Sequence, residues 1–467
     1  MSYKRKGRTL PEVVVASEGG NFEITAGADP ALVIEAAWSY LNSLGGGIIQ
    51  TTGPGETWVA QTKIDSQGEK VKWISDWSLK IELDDAVDAH LISISHDDVE
   101  LNGLNLDGNK TNQTGYPGGA EFRNVYCTGA DQFKMLNCYS HHAAQYGVSW
   151  GTAVDAILAW NYFSENGWNG LEVTLNGVDA KVFGNHVDHS SDAGLATFGI
   201  NTLMQGNTVI DMDRVDGSTN TGWGIEIARG TKHQAIGNSI HDCGLGLGVQ
   251  GATPPTDVLV VGNVIYDIDT TCIVLGHTGI QCLDNKIYVK TAFERGIIAE
   301  STSEDCLIKG NEFSGVADYY GIDVDAQDKI TIDGNMFRGT PNRVIQFDNP
   351  SLECSVINNT LLGGTTGVYA TTGDVVDDLT IQNNRFYDMT TAIYLRQGND
   401  VMITGNRMRN CTTVLDANVV AMVRTMLMGN NWEGSTNDPI TGAMNNPRIT
   451  SNIDKTGAWW ATGDNPA

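Results

Sequence analysis

Short runs of alternating apolar and polar residues, four to six long, fill most of the chain. One set leads into an Asn, as in VLVVGN, CLIKGN, ITIDGN, LTIQNN and VMITGN. A second set follows a turn of variable length and usually opens with Gly, as in GVSW, GLEVT, GIEIA, GIDVD and GVYAT. Alternation of this length is strand periodicity, one face in and one face out. The Asn recurs at 109, 137, 161, 185, 207, 238, 263, 285, 311, 335, 359, 384, 406 and 430, usually after Gly, Asn or Asp. Fixed self-similarity at this interval is the mark of a stacked solenoid. No unit holds the ten or so residues a helix needs, which excludes helical and leucine-rich repeats. Three short strands and three bends per unit predict an all-β chain, a right-handed parallel β-helix of about 14 coils. An Asn at the same bend of each coil can pass side-chain amide hydrogen bonds to its neighbours as a ladder. Isolated hairpin turns would not stay in phase over this many positions.

One segment breaks the pattern. DPALVIEAAWSYLNSL opens with Asp29 as N-cap and Pro30 at the first helical position, and Gly45-Gly46-Gly47 ends it. A helix over 30–44 is expected, with Leu32, Val33, Ala36, Ala37 and Tyr40 as its apolar face. It would cover the open strand edges of the first coil. The organisation read from this is an arm at 1–24, the capped β-helix at 25–432 and a polar tail at 433–467. Two units are longer than the rest, through insertions at 110–122 and 208–222 that would wall a groove over neighbouring coils.

The repeats resemble those of the pectin-lyase-like β-helix superfamily, over roughly residues 25–432. That group contains polysaccharide lyases, glycoside hydrolases, alginate (mannuronan) C-5 epimerases and phage tailspike depolymerases. LDGNKTNQTG at 106–115 is similar to a segment of the epimerases, whose catalytic strand resembles YGFDPHE. Tyr146-Gly147 matches its start, but Ser149, Gly151 and Thr174 stand where that family has its Asp, His and next-coil Asp. The resemblance implies a β-helix acting on a long extracellular or cell-surface polysaccharide. Hydrolysis is favoured over a uronate lyase or epimerase, and a non-catalytic glycan-binding or structural fibre is the rival.

Composition narrows the partners. A net charge of -27 argues against nucleic acid and anionic membranes as partners, and no stretch of 18 apolar residues is present to span a bilayer. No apolar core of signal-peptide length is visible at the start, so either a leader was removed or export is not by that route, and an extracellular or virion-associated setting is expected. No heptads appear in the tail, and monomer and homotrimer both stay open. The eight cysteines follow no metal-binding spacing and read as buried thiols.

Aligning the Gly-led strands gives two columns of outward side chains, and two acidic groups emerge from them. Glu172 and Glu226 share a column with Ser149 and lie two strand spacings apart, roughly 9–10 Å, across Ala196. That suits an acid–base pair in inverting glycoside hydrolysis. Tyr146, His142 and Arg229 are further catalytic candidates beside them, and Trp168, Trp223, Ser149 and Thr174 are candidate substrate contacts. The second group is Glu300, Asp325 and Asp348 in one column, with Asp323 alongside, readable as a catalytic cluster, a Ca2+ site or a solvated acidic stripe. No cofactor is required. Ca2+ is admitted by Asp211, Asp213 and Asp216 in DMDRVDG, which resembles an oxygen-ligand calcium loop with one residue too many. His141/His142 and His186/His189 are read as turn-stabilising.

Overall fold

The computed structural model describes residues 4–5, 8–114, 122–212, 222–289, 294–315, 319–325, 328–370, 375–417, 421–432, 440–441, 444–445 and 448–450. The chain divides into two compact units, Met1–Ser239 and Ile240–Ala467. Both are built from short parallel strands stacked coil on coil. The fold is the expected right-handed parallel β-helix of about 14 coils.

Three consecutive coils of the first unit show the repeat. Lys134–Leu136, Tyr139–His141 and Tyr146–Gly151 form one coil. Ile157–Ala159, Tyr162–Ser164 and Leu171–Val173 form the next, then Lys181–Phe183, His186–Asp188 and Ala193–Thr197. Each strand pairs in parallel with its counterpart one coil on, for instance Val148 with Leu171 and Leu171 with Leu195. The residues between those partners alternate faces, so Val148, Leu171, Leu195 and Ile225 fill the interior.

The Asn ladder is present, in two runs. In the first unit Asn161, Asn185, Asn207 and Asn238 are buried in line, and each backbone N–H and side-chain amide donates to the Oδ1 of the next at 2.9–3.0 Å. The other amide hydrogen goes to a main-chain carbonyl of an adjacent coil, as from Asn185 to Leu158 at 2.8 Å. In the second unit the same pattern runs through Asn263, Asn285, Asn311, Asn335, Asn359, Asn384, Asn406 and Asn430. The residue before most rungs has a left-handed backbone, for example Gly184 at φ 64° and Gly310 at φ 68°. This explains the preference for Gly, Asn or Asp there.

Asn109 and Asn137 do not join the ladder. Asn137 has φ 50° and is exposed, so it fills the left-handed slot before the rung. Cys138 occupies the rung itself, and its N–H donates to Asn161 Oδ1 at 2.9 Å. Asn109, also left-handed at φ 50°, turns its amide outward to the Leu83 carbonyl and Asp85.

The single α-helix among the described residues is Pro30–Ser43. Asp29 caps it: Oδ1 accepts from the Ala31 N–H at 3.0 Å and the Gln61 N–H at 3.1 Å, and Oδ2 from the Thr62 hydroxyl at 2.7 Å. Its buried face is Ala31, Ile34, Ala37, Trp38 and Leu41, while Leu32 and Tyr40 are exposed. The helix is therefore rotated from the face expected from sequence. The i, i+3, i+7 stripe carrying Ile34, Ala37 and Leu41 packs on the sheet, and Trp38 anchors it by donating from Nε1 to the Gly68 carbonyl at 3.0 Å. Within the segment read as an arm, Glu12–Ala16 is a strand pairing in parallel with Gly47–Thr52. Among the described residues no helix is long and apolar enough to cross a membrane.

All eight cysteines are buried. Burial pushes the Cys138 thiol up to about 12 and those of Cys306, Cys354 and Cys411 up to about 11.

The ladder makes a stability prediction. Asn335→Ala strands the Ile308 carbonyl and the donors of Asn311, and is expected to cost about 3 kcal/mol or more. Asn137→Gly keeps the left-handed slot and is expected to change stability by less than about 1 kcal/mol. Denaturant unfolding of the two variants checks the contrast.

Candidate active site

In the first unit the expected column is built as drawn. Tyr126 pairs with Ser149, Ser149 with Glu172, Glu172 with Ala196 and Ala196 with Glu226. A cavity of about 490 Å³ opens on this face. Its lining includes Glu172, Tyr146, Thr174 and Arg229, with Arg123 and Phe198. Glu172 is almost fully buried, and its Oε2 accepts from the Asn169 amide at 3.0 Å. Asn169 is itself fixed, because its Oδ1 accepts from the Ala193 N–H at 2.9 Å.

Glu226 stands two strands along the column from Glu172. Burial, followed by the charges of Asp192 and Glu172, pushes its carboxyl up from 4.5 to about 7. Desolvation penalises the charged form, and two nearby carboxylates add to it. A carboxyl tuned in this way remains partly protonated at neutral pH and can donate a proton.

The sequence did not single out Arg123, Asn169 or Asp192. The Arg123 guanidinium lies 4.8 Å from the ring centres of both Tyr126 and Tyr146. Arg123 pairs with Tyr146 across adjacent strands, so strand alignment one coil earlier would have found it. Asn169 and Asp192 sit in the turns before Gly-led strands, where alternation gives no guide.

Other candidates are placed differently. Trp168 is exposed and meets Tyr146 edge-on, ring centres 5.7 Å apart. Trp223 is only 8% exposed and Ser149 is fully buried, so neither presents a free face to a substrate. His142 is not among the residues lining the cavity. A left-handed backbone at φ 51° ends its strand and turns it toward Asp107 and Glu165. Asp107, His141 and His142 instead form a compact group whose ligand-type atoms lie within 4.8 Å of one another. Of the calcium-loop residues, Asp211 is half-buried, with its Oδ2 3.7 Å from His189 Nε2, and Asp213 and Asp216 lie outside the described residues. So do most of the two insertions.

In the second unit Ile298, Asp323, Gln346 and Tyr369 line up in one column. Asp323 is buried, and its Oδ2 lies 2.5 Å from Arg295 Nε. Burial pushes its carboxyl up to about 6 against the pull of that guanidinium. Burial also raises Glu300. Asp325 accepts from the Asn349 amide and lines a separate cavity of about 390 Å³. Asp348 follows its strand one coil on, its N–H bonded to the Val324 carbonyl at 3.0 Å.

Comparison with known proteins bears on the fold. The description "Right handed beta helix region" matches residues 123–291. "Periplasmic copper-binding protein (NosD)" matches residues 248–453. A mannuronan C-5 epimerase A-module from Azotobacter vinelandii superposes with a TM-score of 0.58 at 15% identity, covering 70% of this chain and 96% of that one. The chain is a right-handed parallel β-helix. DFA-IIIase from Arthrobacter chlorophenolicus gives a TM-score of 0.54 at 13% identity, covering 70% of this β-helix and 98% of that chain. The tailspike protein of E. coli bacteriophage HK620 gives 0.54 at 13%, covering 78% and 73%. A sequence search of curated proteins gave no match.

The state of Glu226 has a stability signature. The folded chain holds this proton more tightly than the unfolded chain, so the contribution is full below about 4.5 and is lost as pH rises toward 7. Relative to Glu226→Gln, the wild-type protein is expected to lose up to about 3 kcal/mol across that window. Thermal melts of both proteins over this pH range measure the difference.

Proposed function

We propose that this β-helix is a carbohydrate-active enzyme that cleaves a long polysaccharide on the face carrying Glu172 and Glu226. The observation that carries the reading is Glu226, a desolvated carboxyl raised toward neutrality, two strands from Glu172, which lines an open cavity that Glu226 itself does not line. Glu226 serves as general acid and protonates the leaving glycosidic oxygen. Glu172, oriented by Asn169, serves as the base that activates water. Two strand spacings, about 9–10 Å between backbones, leave room for a water between the two, which favours inversion. Trp168 offers an exposed ring face for a sugar. The β-helix relatives among solved structures, named for a mannuronan epimerase, a DFA-IIIase and a tailspike, agree with a glycan as substrate. An extracellular or virion-borne setting fits such a substrate.

A uronate lyase is the second reading, favoured by one observation: Arg123 and Arg229 line the same cavity as Tyr146. Two guanidinium groups could neutralise a uronate carboxylate while a tyrosine moves the proton. Epimerisation by the pattern of the alginate enzymes fits less well. A Cβ at Gly151 would fall 1.6 Å from Thr174 Oγ1, so the slot that holds His in that family is filled here by its neighbour.

The test is a panel of alginates, pectins, glycosaminoglycans and capsular glycans, followed by viscosity, reducing ends and ultraviolet absorbance of unsaturated ends. Hydrolysis raises reducing ends alone, whereas a lyase raises both signals. On the substrate found, Glu226→Gln is expected to lower kcat at least about a hundredfold, and the wild-type rate to fall above pH about 7 as the acid deprotonates. Asp348→Asn should leave the rate within about twofold. Loss of activity in Asp348→Asn with Glu226→Gln intact would move the site to the Glu300, Asp323, Asp325 and Asp348 group. Full activity in both variants would reject both carboxylate sites.

A further inference from the structure

We propose that Asp107, His141 and His142 form a binding site for a divalent transition-type cation, of which Zn2+ is the model. The three residues come from two coils. Asp107 ends the strand Asn105–Asp107, which pairs in parallel with Tyr139–His141 and sets Asp107 directly beside His141. His142 follows in the turn.

The outer nitrogens of both imidazoles are already engaged. His141 Nε2 lies 3.0 Å from Asn105 Oδ1, and the Asn105 amide nitrogen is directed at the Trp77 carbonyl, 3.4 Å away, which fixes that side chain's orientation. His142 Nε2 lies 3.1 Å from Glu165 Oε2. An amide oxygen and a carboxylate both accept, so each ring carries its proton on Nε2. In neutral rings both Nδ1 atoms then present lone pairs, and they face each other at 2.8 Å. Asp107 Oδ1 faces the same point, 3.5 Å from His142 Nδ1 and 3.9 Å from His141 Nδ1. Three lone pairs converging in a half-buried setting repel unless a proton or a metal cation lies among them.

The spacing suits a metal ion. A point equidistant from the corners of a triangle with sides 2.8, 3.5 and 3.9 Å lies about 2.0 Å from each, and zinc bonds to imidazole nitrogen and carboxylate oxygen run about 2.0–2.2 Å. The surroundings supply the orienting shell such sites use. Asn105 and Glu165 hold the rings by their Nε2–H groups, the Asn109 N–H donates to Asp107 Oδ1 at 3.0 Å, and Lys80 Nζ pairs with Asp107 Oδ2 at 3.2 Å. Two imidazoles and one carboxylate select zinc, copper, nickel or cobalt over calcium, which takes six or more oxygens. Three protein ligands leave a fourth position for water or a ligand. The copper-binding family match begins at residue 248, beyond all three residues, and plays no part in this assignment.

The test uses the full chain, stripped with chelator and dialysed. Zn2+ titrated by calorimetry is expected to bind one equivalent with a Kd of micromolar or tighter, and millimolar Ca2+ not to compete. Co2+ is expected to give the intense visible absorption of a site with fewer than six ligands. His142→Ala, at a half-exposed position, and the isosteric Asp107→Asn are each expected to weaken Zn2+ binding at least about a hundredfold, with melting curves verifying that the apo variants fold. His189→Ala is expected to bind as wild type. Absence of stoichiometric Zn2+ uptake by the folded chain, or uptake unchanged in both variants, would overturn the proposal and leave a proton as the occupant of the site.

Discussion

Burying a carboxamide is unfavourable unless every one of its hydrogen bonds is met. The asparagine stack meets them by repetition. In the interior rungs an Oδ1 accepts the backbone and side-chain N–H of the rung before, one amide hydrogen passes to the rung after, and the other goes to a main-chain carbonyl. A coil shifted by one residue would lose all of these bonds at once. The stack therefore fixes the register of each coil, and register decides which side chains point outward and which neighbours they meet. Glu172 and Glu226 share a column because Asn161, Asn185, Asn207 and Asn238 share one.

Much of this was legible in the sequence because a buried amide at one bend leaves a periodic trace. The exceptions are instructive. Asn137 obeys the spacing to within one residue, yet the rung belongs to Cys138. An Asn serves both the left-handed slot and the ladder, and spacing alone does not separate the two roles. The capping helix was located correctly and its face misassigned, since Leu32 and Ile34 are equally apolar and only packing against the first strands chooses between them.

The site was legible where alternation ruled and hidden where turns ruled. The column from Ser149 to Glu226 follows from strand alignment. Its chemical character depends on what lies over it, and that comes from turn residues such as Asn169 and Asp192 or from the previous coil, such as Arg123. The same limit separates His141 and His142 from their partner. Asp107 is 34 positions before His141, and only the coil register makes them neighbours.

The proposed chemistry depends on a carboxyl held protonated by its surroundings inside a register-locked coil. Its most direct test is a carbon-13 NMR titration of glutamate side-chain carboxyls in the labelled protein, with the Glu226→Gln spectrum identifying the resonance. A midpoint near pH 7 is expected for Glu226, moving down when Glu172 is replaced by Gln. A midpoint at the ordinary glutamate value of 4.5, unmoved by that replacement, would contradict it.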